Sequence, residues 1–163
     1  MFNVGDYVIY KRQLCTILDI HKKYFNNEDY YVLESVDDKS LKINVPLKNS
    51  ECFLRNIISK DKLDDIINNI PNIDIITTNE KLIENEYKKL LSTGTFEDLI
   101  KIINTTYERN KNRLDKNKKI SDKDDFYFKQ SEKYLYNEFS VVLNKSYDDT
   151  KKYVIEKVTE IIS

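Results

Sequence analysis

Among the residues suited to proton chemistry in this 163-residue chain are paired carboxylates such as Asp64-Asp65, Asp124-Asp125 and Asp148-Asp149. General acid–base catalysis needs two carboxyls whose surroundings hold their pKa values apart. Each pair here stands in or near the start of a helical pattern, where capping and the helix dipole account for acidic residues without any reaction. His21 is the only histidine, which excludes a His-based metal cage and an imidazole relay. Cys15 and Cys52 are the only thiols and are expected to be reduced and partly buried. With two glycines, Gly5 and Gly94, the chain has no material for a phosphate-cradling loop. The expectation is a protein that is not an enzyme, holds no metal or cofactor, and acts by binding.

Two segments could bind. In residues 41–45, Leu41, Ile43 and Val45 alternate with Lys42 and Asn44, which predicts a strand with the first three turned inward and the other two outward, stopped by Pro46. At a sheet edge its unpaired amides could accept a strand from a partner; an ordinary strand blunted by lysine fits the same pattern. The second segment, residues 109–119, sets Arg109, Lys111, Arg113, Lys116, Lys118 and Lys119 against one acid, Asp115. It could neutralise a few phosphates, with affinity that falls as salt rises, or be a solvated helix end. The aromatic triplet Phe126-Tyr127-Phe128 follows it, with Phe128 placed by its spacing in a core stripe.

The elements that must position these residues fall into two halves. Residues 7–10, 14–20, 30–36 and 41–45 are short alternating runs rich in β-branched and aromatic types, residues 52–54 add a possible fifth, and polar clusters at 11–13, 26–29 and 37–39 turn the chain between them. Five short antiparallel strands predict a small Tudor-like (SH3-like) barrel over residues 1–58. From residue 59 to 163 the period becomes helical. Apolar stripes built on Leu63, Ile66, Ile67 and Ile70, on Ile83, Tyr87, Leu90 and Leu91, on Leu99, Ile102, Ile103 and Thr106, on Phe128, Leu135, Phe139 and Val142, and on Val154, Ile155, Val158, Ile161 and Ile162 predict about five helices. Gly94 reads as a helix terminator. Thr77, Thr95, Ser121 and Ser146, each followed three residues later by Glu80, Asp98, Asp124 and Asp149, predict N-terminal capping boxes. The fold class is thus α+β in two domains, with residues 71–77 as a connector whose isoleucines pack on a neighbour.

Composition limits the partners. There are 27 basic and 28 acidic residues, a net charge of −1, and residues 1–58 carry eight of each sign, so neither half is a basic nucleic-acid coat. Charged residues make up 34% of the chain, no apolar run approaches the roughly 20 residues a bilayer needs, and the first residues lack a signal-peptide pattern; the chain is expected to be cytoplasmic, away from membranes and monomeric. Alanine is absent while lysine, asparagine and isoleucine abound, a bias of AT-rich coding that makes single lysines and asparagines weak signals.

The order of motifs resembles the CarD/CdnL family of bacterial transcription regulators. The resemblance lies in Phe2-x-x-Gly5-Asp6-x-Val8-Ile9-Tyr10, Tyr31-Val32-Leu33, Ile43-x-Val45-Pro46 and Leu54-Arg55-x-x-Ile58-Ser59, then in residues 87–94 and in Tyr134-Leu135-x-x-Glu138-Phe139-x-x-Val142-Leu143. It implies that residues 1–58 bind the RNA polymerase β subunit through Lys42, Ile43, Asn44, Val45 and Pro46, with Lys23 matching a basic position of relatives, and that residues 59–163 lie near promoter DNA. It also implies a regulator that modulates initiation and open-complex stability. The alternative is an adaptor that holds polymerase without touching DNA; a module of a repair-coupling system, where a similar barrel occurs, is a third reading.

The chain departs from the family where DNA is met. The family's tryptophan wedge falls at Glu80, which reads instead as the end of a capping box; no tryptophan is present, and Leu82-Ile83-Glu84-Asn85 replace the basic residues that follow the wedge. A lysine that meets DNA in relatives aligns with Asp125, and the turn after the first strand is Lys11-Arg12-Gln13-Leu14 rather than His-Gly-containing. DNA contact is therefore expected to be weak and polymerase-dependent, carried by Lys81, Lys88, Lys89, Arg109, Lys111 and Arg113.

Overall fold

A computed structural model describes residues 1–93 and 95–163. The expected helix stop at Gly94 lies outside the described residues. The chain divides into two compact units, Met1–Ile58 and Ser59–Ser163.

The first unit is an antiparallel sheet of β1 (Tyr7–Tyr10), β2 (Gln13–Phe25), β3 (Glu28–Ser35), β4 (Lys42–Pro46) and β5 (Leu54–Asn56), in the order β4-β3-β2-β1-β5. The expected Tudor-like barrel is not formed. Closure would require β4 to pair with β5, but β5 is three residues long and pairs only with β1, which leaves an open sheet with β4 and β5 at its edges. Alternation defines strands and their faces, whereas meeting of the end strands is a long-range event that alternation does not encode.

Val8, Cys15, Ile17, Tyr31, Leu33, Val45 and Leu54 form the buried face. The Tyr31 hydroxyl accepts from the Phe2 amide (3.1 Å) and donates to the Phe2 carbonyl (3.3 Å), fastening the chain start to this core. Gly5 takes φ +93° while its N–H donates to the Ile17 carbonyl at 2.8 Å, a backbone conformation that L side chains rarely adopt. Strand β2 runs five residues beyond the expected stretch. Residues 21–25 are exposed, so no apolar alternation announces them, and the register with β3 shifts between His21 and Phe25, where Lys23 has φ +50°.

Two-residue turns join the first strands, with positive φ at Lys11 and Arg12 and at Asn26 and Asn27, the conformation that matches the twist of paired strands. Asparagine does the work glycine usually does here: Asn49, Asn117 and Asn144 are also left-handed.

The second unit is a bundle of α1 (Lys60–Asn69), α2 (Ile83–Ser92), α3 (Phe96–Asp115), α4 (Asp122–Leu143) and α5 (Tyr147–Ile162). The Ser59, Thr95, Ser121 and Ser146 hydroxyls accept the amides of Lys62, Asp98, Asp124 and Asp149 at 3.1–3.2 Å, so each caps a helix. The expected cap at Thr77 is not formed. Helix α2 starts at Ile83, Asn79 Oδ1 accepts the Leu82 amide at 3.1 Å, and the Glu80 side chain is drawn away by cations. In the connector Ile73 is buried and Ile76 packs on the core formed by Ile83, Tyr87, Leu90, Ile102 and Tyr127, while Ile75 stays exposed. The stripe of α5 is only partly used: Val154 is buried, but Ile155, Ile161 and Ile162 are exposed. Among the described residues no helix is long and apolar enough to cross a membrane.

Candidate functional site

Strand β4 forms one edge of the sheet. Val45 is buried and Ile43 packs against the core, while Lys42 and Asn44 are exposed. Leu41, expected to face inward, is 39% exposed because the strand begins one residue later.

The direction of the edge amides follows from the register. Glu34 opposes Lys42 and Tyr30 opposes Pro46; just beyond these ends the Ser35 amide donates to the Leu41 carbonyl (3.3 Å) and the Leu47 amide to the Asp29 carbonyl (3.0 Å). Opposed residues in an antiparallel ladder alternate between hydrogen-bonded and non-bonded pairs. With these flanking pairs bonded, Leu33 with Ile43 and Tyr31 with Val45 are the bonded pairs between them. The backbone N–H and C=O of Lys42 and Asn44, and the C=O of Pro46, therefore point outward to the open edge.

The side chains beside this edge are anchored. Lys42 Nζ pairs with Glu34, and Asn44 Nδ2 donates to the Tyr24 hydroxyl at 3.5 Å. Tyr24 in turn lies against Tyr30 (ring centroids 5.4 Å) and His21 (5.6 Å). Lys23, next to Tyr24, is exposed, and its amide donates to Asp29 Oδ1 at 2.9 Å. That amide, first, and then the Lys22 ammonium lower the Asp29 pKa below the usual carboxylate value.

In the helical unit the basic segment divides by burial. Asp124 is fully buried: Oδ2 accepts from Arg109 Nε (2.8 Å) and Arg113 Nη1 (2.6 Å), and Oδ1 from the Tyr87 hydroxyl (2.8 Å). Burial pushes the Asp124 carboxyl upward, but the hydrogen bonds from Arg113, Arg109 and Tyr87 outweigh it and hold its pKa below the ordinary value. Tyr87 is raised, by burial first and then by the Asp124 carboxylate. Arg113 also donates to Asn110 Oδ1 (2.6 Å), which accepts the Ser121 amide (2.9 Å), tying the end of α3 to the start of α4.

Arg109 has a second partner. Its Nη2 donates to Glu80 Oε2 (2.5 Å), while Lys123 Nζ meets Glu80 Oε1 (3.2 Å). Lys81, Lys88, Lys89 and Lys111 are exposed and have no ion-pair partner among the described residues. The structure thus separates Arg109 and Arg113, engaged with a buried carboxylate, from four free lysines.

Sequence reasoning placed Asp124 in a capping box and Tyr87 in an apolar stripe, missing that they meet each other and the two arginines, and did not single out Lys123. A signal was present: Arg109 and Arg113 continue the spacing of Leu99, Ile102 and Thr106, so they stand on the inward stripe of α3 and need a buried counter-charge. Among the described residues no group of three or more His, Cys, Asp or Glu could hold a metal ion.

Residues 2–58 match the CarD-like/TRCF RID domain family. The first unit is thus a CarD-like domain, and the match ends where the helical unit begins. No curated protein matches the chain.

Proposed function

We propose that this chain is a transcription regulator that docks on the RNA polymerase β subunit by adding a partner strand to β4, and that its helical unit acts near promoter DNA. The observation that carries the reading is the open edge of β4 in a CarD-like domain, with the Lys42 and Asn44 backbone groups directed outward. Main-chain bonds to such an edge supply affinity, and neighbouring side chains supply selectivity. Lys23, Ile43, Val45 and Pro46 complete this docking element: Ile43 and Val45 brace the strand on the core, and Pro46 ends it.

Capture of the β subunit by the full chain tests it. Asn44→Pro removes an outward amide and leaves the ladder to β3 intact, so binding should fall at least tenfold with the fold retained. Unchanged capture by a folded Asn44→Pro protein would reject strand addition.

For DNA, Lys81, Lys88, Lys89 and Lys111 are exposed cations without an ion-pair partner among the described residues, whereas Arg109 and Arg113 serve first to hold Asp124. That commitment favours the second reading, an adaptor that binds polymerase alone. Polymerase–promoter open-complex lifetimes separate the two: replacing the four lysines by Ala shortens or lengthens the lifetime if DNA is met and leaves it unchanged if the protein is only an adaptor.

A further inference from the structure

Glu80 is 63% exposed on its side chain, yet both of its oxygens are held, Oε2 by Arg109 Nη2 and Oε1 by Lys123 Nζ. Arg109 cannot follow Glu80 if it leaves, because its Nε is bonded to the buried Asp124. Lys123 sits beside Asp124 at the start of α4, whose Ser121 hydroxyl caps the helix. Arg109 is therefore a fixed donor at the surface with the Lys123 ammonium beside it, and the group between them is an anion carried on the irregular segment before α2, not on a helix or strand. Lys81, exposed and without a partner among the described residues, is next in the chain.

We infer that Arg109 Nη2 and Lys123 Nζ form a seat for a nucleic-acid backbone phosphate, which the Glu80 carboxylate occupies in the free protein and yields when DNA binds. This rests on the proposal that the helical unit meets DNA. A carboxylate and a phosphate offer the same two charge-assisted acceptors to such a pair. The exchange is close to balanced, since an exposed ion pair contributes little. In the free protein Glu80 cancels one of the charges a phosphate would meet, so a chain of balanced charge shows no affinity for anions at this place until a polyanion is brought to it.

Fluorescence anisotropy of a labelled duplex with the full chain at low salt tests the exchange. Glu80→Gln should tighten binding about 3- to 10-fold and steepen the salt dependence by roughly one phosphate's worth, about 0.9 in the log–log slope. Glu156→Gln, the same charge change at an exposed site on α5, should move affinity less than about twofold if the effect is local. Adding Lys123→Gln to Glu80→Gln should return affinity to the wild-type value. Equal effects of Glu80→Gln and Glu156→Gln would overturn the seat. If Glu80→Gln is silent while replacing Lys81, Lys88, Lys89 and Lys111 by Ala abolishes binding, the seat is rejected and DNA binding stands. If no variant binds duplex even at low salt, the seat is rejected, and the open-complex lifetimes alone decide whether the helical unit meets DNA beside polymerase.

Discussion

Arg109 Nε donates to Asp124 Oδ2 at 2.8 Å, across a helix pair in which the acid is fully buried and the guanidinium about one-quarter exposed. The same carboxylate holds Arg113 and the Tyr87 hydroxyl, so one acidic residue joins α2, α3 and the start of α4. Residues whose composition suggests a polyanion-binding segment are in this way part of the helical core. Removing one partner of a buried pair strands the other's charge, and that penalty exceeds what the intact pair contributes.

Asp124→Asn is therefore predicted to destabilise the helical unit by about 3 kcal/mol, from the usual cost of breaking a buried ion pair. Chemical denaturation followed by helical circular dichroism measures it. A change under about 0.5 kcal/mol would show that the arginines find other partners.

The pH dependence has a definite sign. Asp124 has a folded pKa below its unfolded value of about 3.9, so it contributes stability that is complete above that value and is lost as pH falls through the folded pKa. Acid unfolding of the wild type should steepen below about pH 4, and Asp124→Asn should lack that component. Glu80, also lowered but largely exposed, should add little.

The two cysteines should differ in reactivity. Cys15 is buried in the sheet core, and burial, helped by Asp37, pushes its thiol up to about 11; Cys52 is exposed. Maleimide should label one thiol per native chain, at Cys52, and the second only in denaturant. Rapid labelling of Cys15 in the native state would mean that the sheet opens readily.

Proline substitutions should distinguish the two sides of β4. Ile43→Pro removes an amide bonded to β3 and should cost about 1–3 kcal/mol, whereas Asn44→Pro should cost the sheet far less and show its effect in partner binding. Equal thermal destabilisation by both would contradict the register parity.

Capping substitutions should be just as selective. Ser146→Ala should destabilise by about 1 kcal/mol because its hydroxyl accepts the Asp149 amide, while Thr77→Ala should be silent because no helix begins there.

Most of the local structure was legible in the sequence. Alternation located the first four strands near their observed positions, and the stripes led by Leu63, Ile83, Leu99 and Phe128 marked four helices and many of their buried residues, although Phe128 is itself only half-buried and the stripes left out the buried Ile100, Tyr127 and Tyr136. The caps at Thr95, Ser121 and Ser146 were readable because a hydroxyl three residues before a helical amide is a local geometry. The asparagines at left-handed turns were also visible, but they were hidden among many others in a chain rich in that residue.

What only the tertiary structure decided depends on partners distant in sequence. Whether five strands close depends on β4 meeting β5, and they do not pair. Whether Glu80 caps a helix or meets a cation depends on Arg109 and Lys123, 29 and 43 residues away. Whether Arg109 and Arg113 are free for a ligand depends on Asp124, which shares its Ser-x-x-Asp pattern with the solvent-exposed Asp149 at the next helix start. Periodicity states which face of an element is apolar; the charge that ends up opposite a given side chain is set by how the elements pack.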